Sequence, residues 1–491
     1  IMDLQMTPES RAFIDGKLIN AKSGKMFDNI SPVSENVIGQ TTDCSTEDMD
    51  MAITAARQAF DKTDWAVNHA FRLHCLTQLR DVLVNDIENI RSQVQAETGS
   101  PAGICGQQGP QCDVPIGFID TSLALIKNYK WSINRGLASF GGVDSERFIE
   151  KEAIGVVGCI TPWNVPLQIN LAKIIPALSS GCSVILKPAP ETPWAATLIG
   201  NAAHHTDIPA GIINIVPSSD PQTIGVQLVN DPRVDMISFT GSTSTGRAIM
   251  SDAAATVKKV FLELGGKSAN IILDDADFSQ ALLSALAVCF HAGQGCAIQT
   301  RLLIPRNRQN EVEEILMNYF KMIDYGGDNT DTHIMGPLIS SAQRKKVLDY
   351  IEKGKAEGAR LLLGGGTPSH LDKGFYVEPT VFVDVTNDMT IAQEEIFGPV
   401  LCVIAYDTES DAIQIANDSI FGLSGGVWSG DEGRAIKVAR QIRAGTINVN
   451  GGNFYAADSP FGGYKQSGIG REMGQEGFEE YLETKTIAIG R

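Results

Sequence analysis

Between residues 153 and 274 the chain alternates two hydrophobic patterns. Short, continuous apolar runs rich in β-branched residues (AIGVVGCITP, CSVILKP, GIINIVP, DMISFTG and KKVFLELGG) read as strands buried on both faces. Between them, VPLQINLAKIIPALSSG and WAATLIGNAAHH carry apolar residues at helical spacing, the first stopping at Gly181. Further helices are expected over 221–230 and from Thr243 onward. Strands joined through helices predict a doubly wound parallel sheet, because parallel neighbours need crossover connections. ANIILDD, RLLIP, ARLLLGGG, VFVDV and GTINVNG extend the alternation and predict a second α/β domain. Upstream, Ser45 with an acidic residue three places on reads as a capping box opening an amphipathic helix. The terminal YLETKTIAI alternates polar and apolar positions but is too short to form a sheet alone. With no partner nearby in sequence, it is expected to complete a sheet across a subunit boundary.

Four polar or glycine-rich motifs fall at the carboxyl ends of the first strands, where doubly wound sheets bind ligands: TPWN, KPAPE, TGSTSTG and ELGGK. TGSTSTG (240–246) is a phosphate seat at a helix start or an ordinary capped turn. It is neither GxGxxG nor a P-loop; the one formal near-match, GIGREMG at 468–474, has no strand before it and reads as a decoy. Lys187 is a cation over the crevice or a solvated lysine. Asn164 caps the following helix or turns its amide into the crevice as an oxyanion donor. Glu263 sits almost inside an apolar strand, where burial would raise its pKa and suit it to general-base work; an exposed strand end is the plain alternative. Cys296, in FHAGQGCAIQTR, lies among glycines and small residues with no second cysteine nearby. It is a packed loop cysteine or a thiolate nucleophile. Cys289, inside an apolar run, reads as structural.

Composition narrows the classes. At 491 residues, two or three domains are expected. Forty Lys plus Arg against 58 Asp plus Glu give a net charge of −18, which opposes nucleic acid and anionic membranes. No apolar run approaches the roughly 20 residues of a membrane span, and the opening IMDLQMTPES lacks a signal-peptide pattern. Nine scattered cysteines without a CxxC motif, and seven dispersed histidines, predict a reducing, cytoplasmic setting and no metal site.

Together, TPWN, LKPAPETP, FTGSTSTG, LELGGKSANII, GQGCAIQTR, EEIFGPV and SPFGGYKQSGIGRE, in this order, resemble the NAD(P)-dependent aldehyde dehydrogenase superfamily. FIDGKLINAKSGKMF, AARQAF and AETGSP extend the likeness over essentially the whole chain. The resemblance implies an α/β fold: a doubly wound cofactor domain (1–128 and 152–264), a catalytic domain (265–469) and a small β oligomerisation domain (129–151 and 470–491). A homodimer or homotetramer is implied too. It makes Cys296 the nucleophile that forms a thiohemiacetal and then a thioester, with Asn164 and the Cys296 N–H holding the oxyanion and Glu263 activating the hydrolytic water. Lys173 and Glu472 match positions tied to proton movement and to the placement of Glu263. Lys187 matches the contact to the adenosine ribose. Trp163, Gly241 and Ser242 match pyrophosphate contacts, and Glu395 and Phe397 the nicotinamide ribose clamp. NAD is the expected cofactor, with NADP the alternative, because many NAD-preferring members have a glutamate where this chain has Pro190, with Glu191 one place on. The adenine-side loop, VPSSDPQ, also lacks the glycine many relatives carry after the proline.

Val165, Ile169, Ala172, Tyr455 and Phe461 match the lining of the substrate tunnel. An apolar and uncrowded lining points to a bulky aldehyde (aromatic, terpenoid or medium-chain) over a charged semialdehyde or betaine aldehyde. The competing readings are a CoA-acylating semialdehyde dehydrogenase, which the glutamate at 263 disfavours, and a non-catalytic structural relative, which the retention of Cys296, Glu263 and Asn164 disfavours.

Overall fold

The computed structural model describes residues 8–326 and 333–491, so most of the opening stretch inspected for a signal peptide, residues 1–7, lies outside the described residues. Five parallel strands form the heart of the first sheet, in the order Ile213–Ile215, Ser183–Lys187, Val156–Ile160, Met236–Thr240 and Lys259–Glu263. The chain moves outward from Val156–Ile160 in one direction, then returns to add strands on its other side. That reversal makes the gap between Val156–Ile160 and Met236–Thr240 the switch point of the sheet.

The local chemistry explains the boundaries. The Pro166–Ser180 helix ends at Gly181, whose φ of 102° suits glycine. The Pro221–Asn230 helix starts with proline in its first turn and is capped by Asp220, which accepts the Thr223 N–H at 3.1 Å. The Ser45 capping box forms, with Asp48 accepting the Ser45 N–H at 2.8 Å.

A second sheet runs Arg360–Leu363, Thr380–Val383, Val400–Tyr406, Arg301–Pro305, Ala269–Ile272, Ser424–Trp428 and Thr446–Val449, parallel except for its first pair. Val400–Tyr406 and Ser424–Trp428 were not among the expected strands. The third sheet corrects an expectation. Leu482–Gly490 pairs within its own chain, antiparallel to Val143–Ala153, which in turn pairs with Ser132–Phe140. Gly468–Ile469 pairs antiparallel with Leu262 and Glu263 at the edge of the first sheet. Glu472 lies 3.1 Å from Lys173. Among the described residues no helix is long and apolar enough to cross a membrane, and no group of three His, Cys, Asp or Glu is placed to hold a metal ion.

Candidate active site

Strand register lines the candidate residues along one edge. Lys187 pairs with Ile160, Ile160 with Phe239, and Thr240 with Glu263. Lys187 and Glu263 therefore end strands three spacings apart, roughly 14 Å.

Lys187 is not solvated. It is 4% exposed, and among the described residues its Nζ finds only the Pro188 carbonyl, at 3.3 Å. Burial pulls its pKa down to about 8, against the opposing pull of Glu191 and Asp220. Glu191 feels the same burial, and its pKa is raised. At the switch point, Ser242 caps the Thr243–Ala253 helix by accepting the Thr245 N–H at 3.2 Å. Gly241 abuts the Phe239 ring so closely that a Cβ there would lie 2.5 Å from it.

Glu263 is 2% exposed, and among the described residues neither carboxylate oxygen has a hydrogen-bond partner. Burial, then the charge of Glu472, push its pKa well up; Lys173 and Arg471 pull it down. Gly462 leaves it room, since a Cβ there would lie 2.7 Å from Oε1. Lys173 itself is wholly buried, 3.1 Å from Glu472 and 4.6 Å above the Phe261 ring. The isolated carboxyl, the acid and the lysine form one cluster, drawn from positions far apart in sequence.

Cys296 is half-buried on a loop of the second domain. Its backbone packs against the turn that follows Glu263, where a Cβ on Gly266 would lie 2.5 Å from the Cys296 carbonyl oxygen. Burial and then Glu263, Glu395 and Glu472 raise the thiol pKa. Cys289 is buried in the core, as expected. Asn164 is not a helix cap. Val165 occupies the cap position without a side-chain bond, and Asn164 Nδ2 instead donates to the Gln294 carbonyl at 2.9 Å. An amide nitrogen has two hydrogens, so one remains for another acceptor. Glu395 accepts the Gly266 N–H at 3.0 Å, while the Phe397 ring meets Trp163 edge-on at 5.5 Å.

A cleft lies beside the Pro166–Ser180 helix, with Phe118, Gln168, Leu171, Ala172, Tyr455 and Met473 in its wall. None of its lining residues is charged. Gln168 donates to the Tyr455 hydroxyl. Tyr455 stands 5.8 Å from both Phe118 and Phe461, ring centre to ring centre. Val165, Ile169 and Phe461 do not line this cleft, although Val165 and Ile169 lie at the start of the same helix and Phe461 touches Tyr455. The GIGREMG stretch is an edge strand and turn that carries Glu472, and not a phosphate loop.

The sequence pattern of the aldehyde dehydrogenase family matches residues 18–487. The chain belongs to the aldehyde dehydrogenase family. Among its relatives in this family, a 3-succinoylsemialdehyde-pyridine dehydrogenase from a Pseudomonas species is 40% identical over 481 residues, 97% of each chain. Betaine aldehyde dehydrogenase from Staphylococcus aureus, solved with NAD+, superposes with a TM-score of 0.94 at 37% identity, over 99% of this chain and 96% of that one. Aldehyde dehydrogenase C from Pseudomonas syringae, solved with NAD+ and octanal as a cysteine-to-alanine mutant, gives 0.91 at 37% identity, over 98% of each chain. These members of the family are named for, or solved with, unlike aldehydes, so the substrate has to be argued from this chain's own residues. Phe118, Gln168 and Met473 carried no local signal; each is an ordinary residue until the fold turns it toward Tyr455 or Ala172.

Proposed function

We propose that this chain oxidises a bulky, apolar aldehyde to its carboxylic acid with NAD+, through a thioester on Cys296. The observation that carries the reading is Glu263: a buried, unpartnered carboxyl at a strand end, beside the turn that supports the Cys296 loop. An orphaned buried carboxyl costs stability, and such strongly perturbed groups cluster at functional sites.

The residues present fit the dinucleotide. Lys187 is a buried cation with no carboxylate within ion-pair distance among the described residues, and it stands at a strand tip beside a switch point. Adenosine hydroxyls would give it partners. The start of the Thr243–Ala253 helix, with Gly241, Ser242 and Trp163, would receive the pyrophosphate. Glu395 and Phe397 would hold the nicotinamide ribose. When bound, NAD+ supplies the hydride acceptor. The position of Glu191 beside Lys187 favours NAD+ over NADP+, because a carboxylate there repels a 2′-phosphate.

In the chemistry, the Cys296 thiol first gives its proton to water, and the thiolate sulfur attacks the aldehyde carbon. The free Asn164 amide hydrogen and the Cys296 N–H stabilise the oxyanion. After oxidation, Glu263 takes a proton from the water that cleaves the thioester, which opposes CoA acylation. Lys173 and Glu472 hold the charge balance around Glu263 and pass its proton outward. The uncharged cleft wall supports an apolar substrate over a semialdehyde acid or betaine aldehyde. The exposed Leu137, Phe140, Val143, Ile487 and Ile489 on the third sheet support a homodimer or homotetramer built on that sheet.

The test is NADH absorbance over a panel of aldehydes, with Cys296→Ala as the control. Cys296→Ala is expected to abolish turnover and keep NAD+ binding. If Cys289→Ala abolishes turnover and Cys296→Ala does not, the nucleophile is misassigned.

A further inference from the structure

His291 is buried, and the chemistry above makes no use of it. Its Nε2 lies 2.5 Å from the Asn164 carbonyl oxygen, and its Nδ1 3.0 Å from Ser100 Oγ. A carbonyl only accepts, so Nε2 carries the proton and Nδ1 accepts from the Ser100 hydroxyl. The Ser100 oxygen accepts from Gln111 Nε2 at 3.3 Å, and the same nitrogen donates to the Asn164 carbonyl at 2.9 Å. These groups close a buried ring around Asn164. The Asn164 amide returns the contact through its bond to the Gln294 carbonyl, two residues before Cys296. Asn164 is thus fastened at both its carbonyl and its side chain to the loop that carries the nucleophile.

That loop is strained. His291, Ala292 and Gly293 have φ of +50°, +53° and +74°, three left-handed residues in succession. Side chains disfavour this region, and it persists only where the surroundings over-determine it. Gly293 admits no Cβ, which would strike the Gly398 carbonyl. His291, with partners on both ring nitrogens, supplies the anchoring at the other end.

We propose that His291 is a positioning residue that sets the oxyanion-binding amide of Asn164 against Cys296, acting through the Asn164 carbonyl. The inference rests on the assignment of Asn164 as the oxyanion donor. Misplacing a reacting group by about 1 Å can cost on the order of 10²-fold in rate. His291→Ala is therefore expected to lower kcat by roughly 10- to 100-fold with the KM for NAD+ within about twofold of wild type. His291→Gln, whose amide N–H can donate to the same carbonyl, is expected to recover most of that loss. In an Asn164→Ala background, His291→Ala should cost little more, because the two act on one interaction.

Steady-state kinetics with a medium-chain aldehyde, and NAD+ binding by tryptophan quenching, read all of this. Wild-type kcat in His291→Ala, or its full loss added on top of Asn164→Ala, would overturn the proposal. If His291→Ala does not fold, Ser100→Ala carries the test, with a several-fold fall in kcat expected and an unchanged kcat refuting it. Should Asn164→Ala itself turn over at the wild-type rate, it is the underlying assignment that fails.

Discussion

Lys173→Met is the sharpest probe of the charge cluster. The lysine is wholly buried, 3.1 Å from Glu472, and it offsets part of the upward push on Glu263. At an effective dielectric of about 20, unit charges at that separation attract by roughly 5 kcal/mol. Removing one partner of a buried pair typically costs about 3–5 kcal/mol, because the other charge is left without compensation. A methionine keeps the packing against Phe261, so the loss should be electrostatic. Urea denaturation followed by tryptophan emission suits the measurement, since Trp65, Trp131, Trp163 and Trp194 all precede the second sheet and only Trp428 lies within it. The pH dependence carries the sign. Without the lysine the folded-state pKa of Glu263 rises further above its unfolded value. A carboxyl with a raised folded pKa lowers stability as pH climbs from the ordinary carboxyl range through that raised value. The deficit should therefore grow with pH. Lys173→Met/Glu472→Leu should regain most of the stability. A deficit under about 1 kcal/mol at pH 8, or one larger at pH 5 than at pH 8, refutes the electrostatic account.

Glu263→Gln should give a burst of NADH and then turnover slowed by about 10²–10⁴-fold, while the wild-type steady-state rate rises with pH through the raised Glu263 pKa; a full-speed mutant moves the base elsewhere. Wild-type kcat/KM should climb from acetaldehyde to longer or aromatic aldehydes, about tenfold for two buried methylenes at roughly 0.8 kcal/mol each. Ala172→Trp should reverse that trend, and a charged semialdehyde as best substrate would end the apolar reading. Deleting 482–491 strips one edge from the third sheet, so light scattering should report monomer or aggregate; an unchanged active oligomer argues against an interface there.

The first sheet was legible because its strands are continuous apolar runs and its helices end on readable punctuation such as Gly181 and Pro221. Two interior strands of the second sheet were not expected. Val400–Tyr406 is a continuous apolar run of the same kind as the strands that were read, so nothing in its own pattern hid it. Ser424–Trp428 is glycine-rich against strand propensity. The reason is packing: a Cβ on Gly426 would lie 2.5 Å from Asn448 and 2.6 Å from Gln299. The partner of the terminal strand was hidden for the opposite reason. Val143–Ala153 is mostly polar and half-exposed, so it shows no buried face to read. Within the site, family motifs named Cys296, Asn164 and Glu263, but the meeting of Lys173 with Glu472 spans 299 residues and appears only in three dimensions. His291 lies five residues before Cys296 in FHAGQGCAIQTR, yet its partners, Ser100 and the Asn164 carbonyl, are distant in sequence.

One small feature ties two properties that protein engineers would prefer to tune separately. Phe461 and Glu472 exchange backbone hydrogen bonds at 2.7 Å in each direction, an isolated antiparallel bridge. The Phe461 ring that packs on Tyr455 of the cleft wall and the acid that sits beside Lys173 thus share one short rung of backbone. Transplanting a foreign 453–461 loop to change substrate preference would shift that rung, and with it the lifetime of the acyl-enzyme. Selectivity and hydrolysis in this scaffold are expected to drift together under selection. Variants chosen only for a new aldehyde should show altered burst amplitudes even when residues 263, 173 and 472 are untouched.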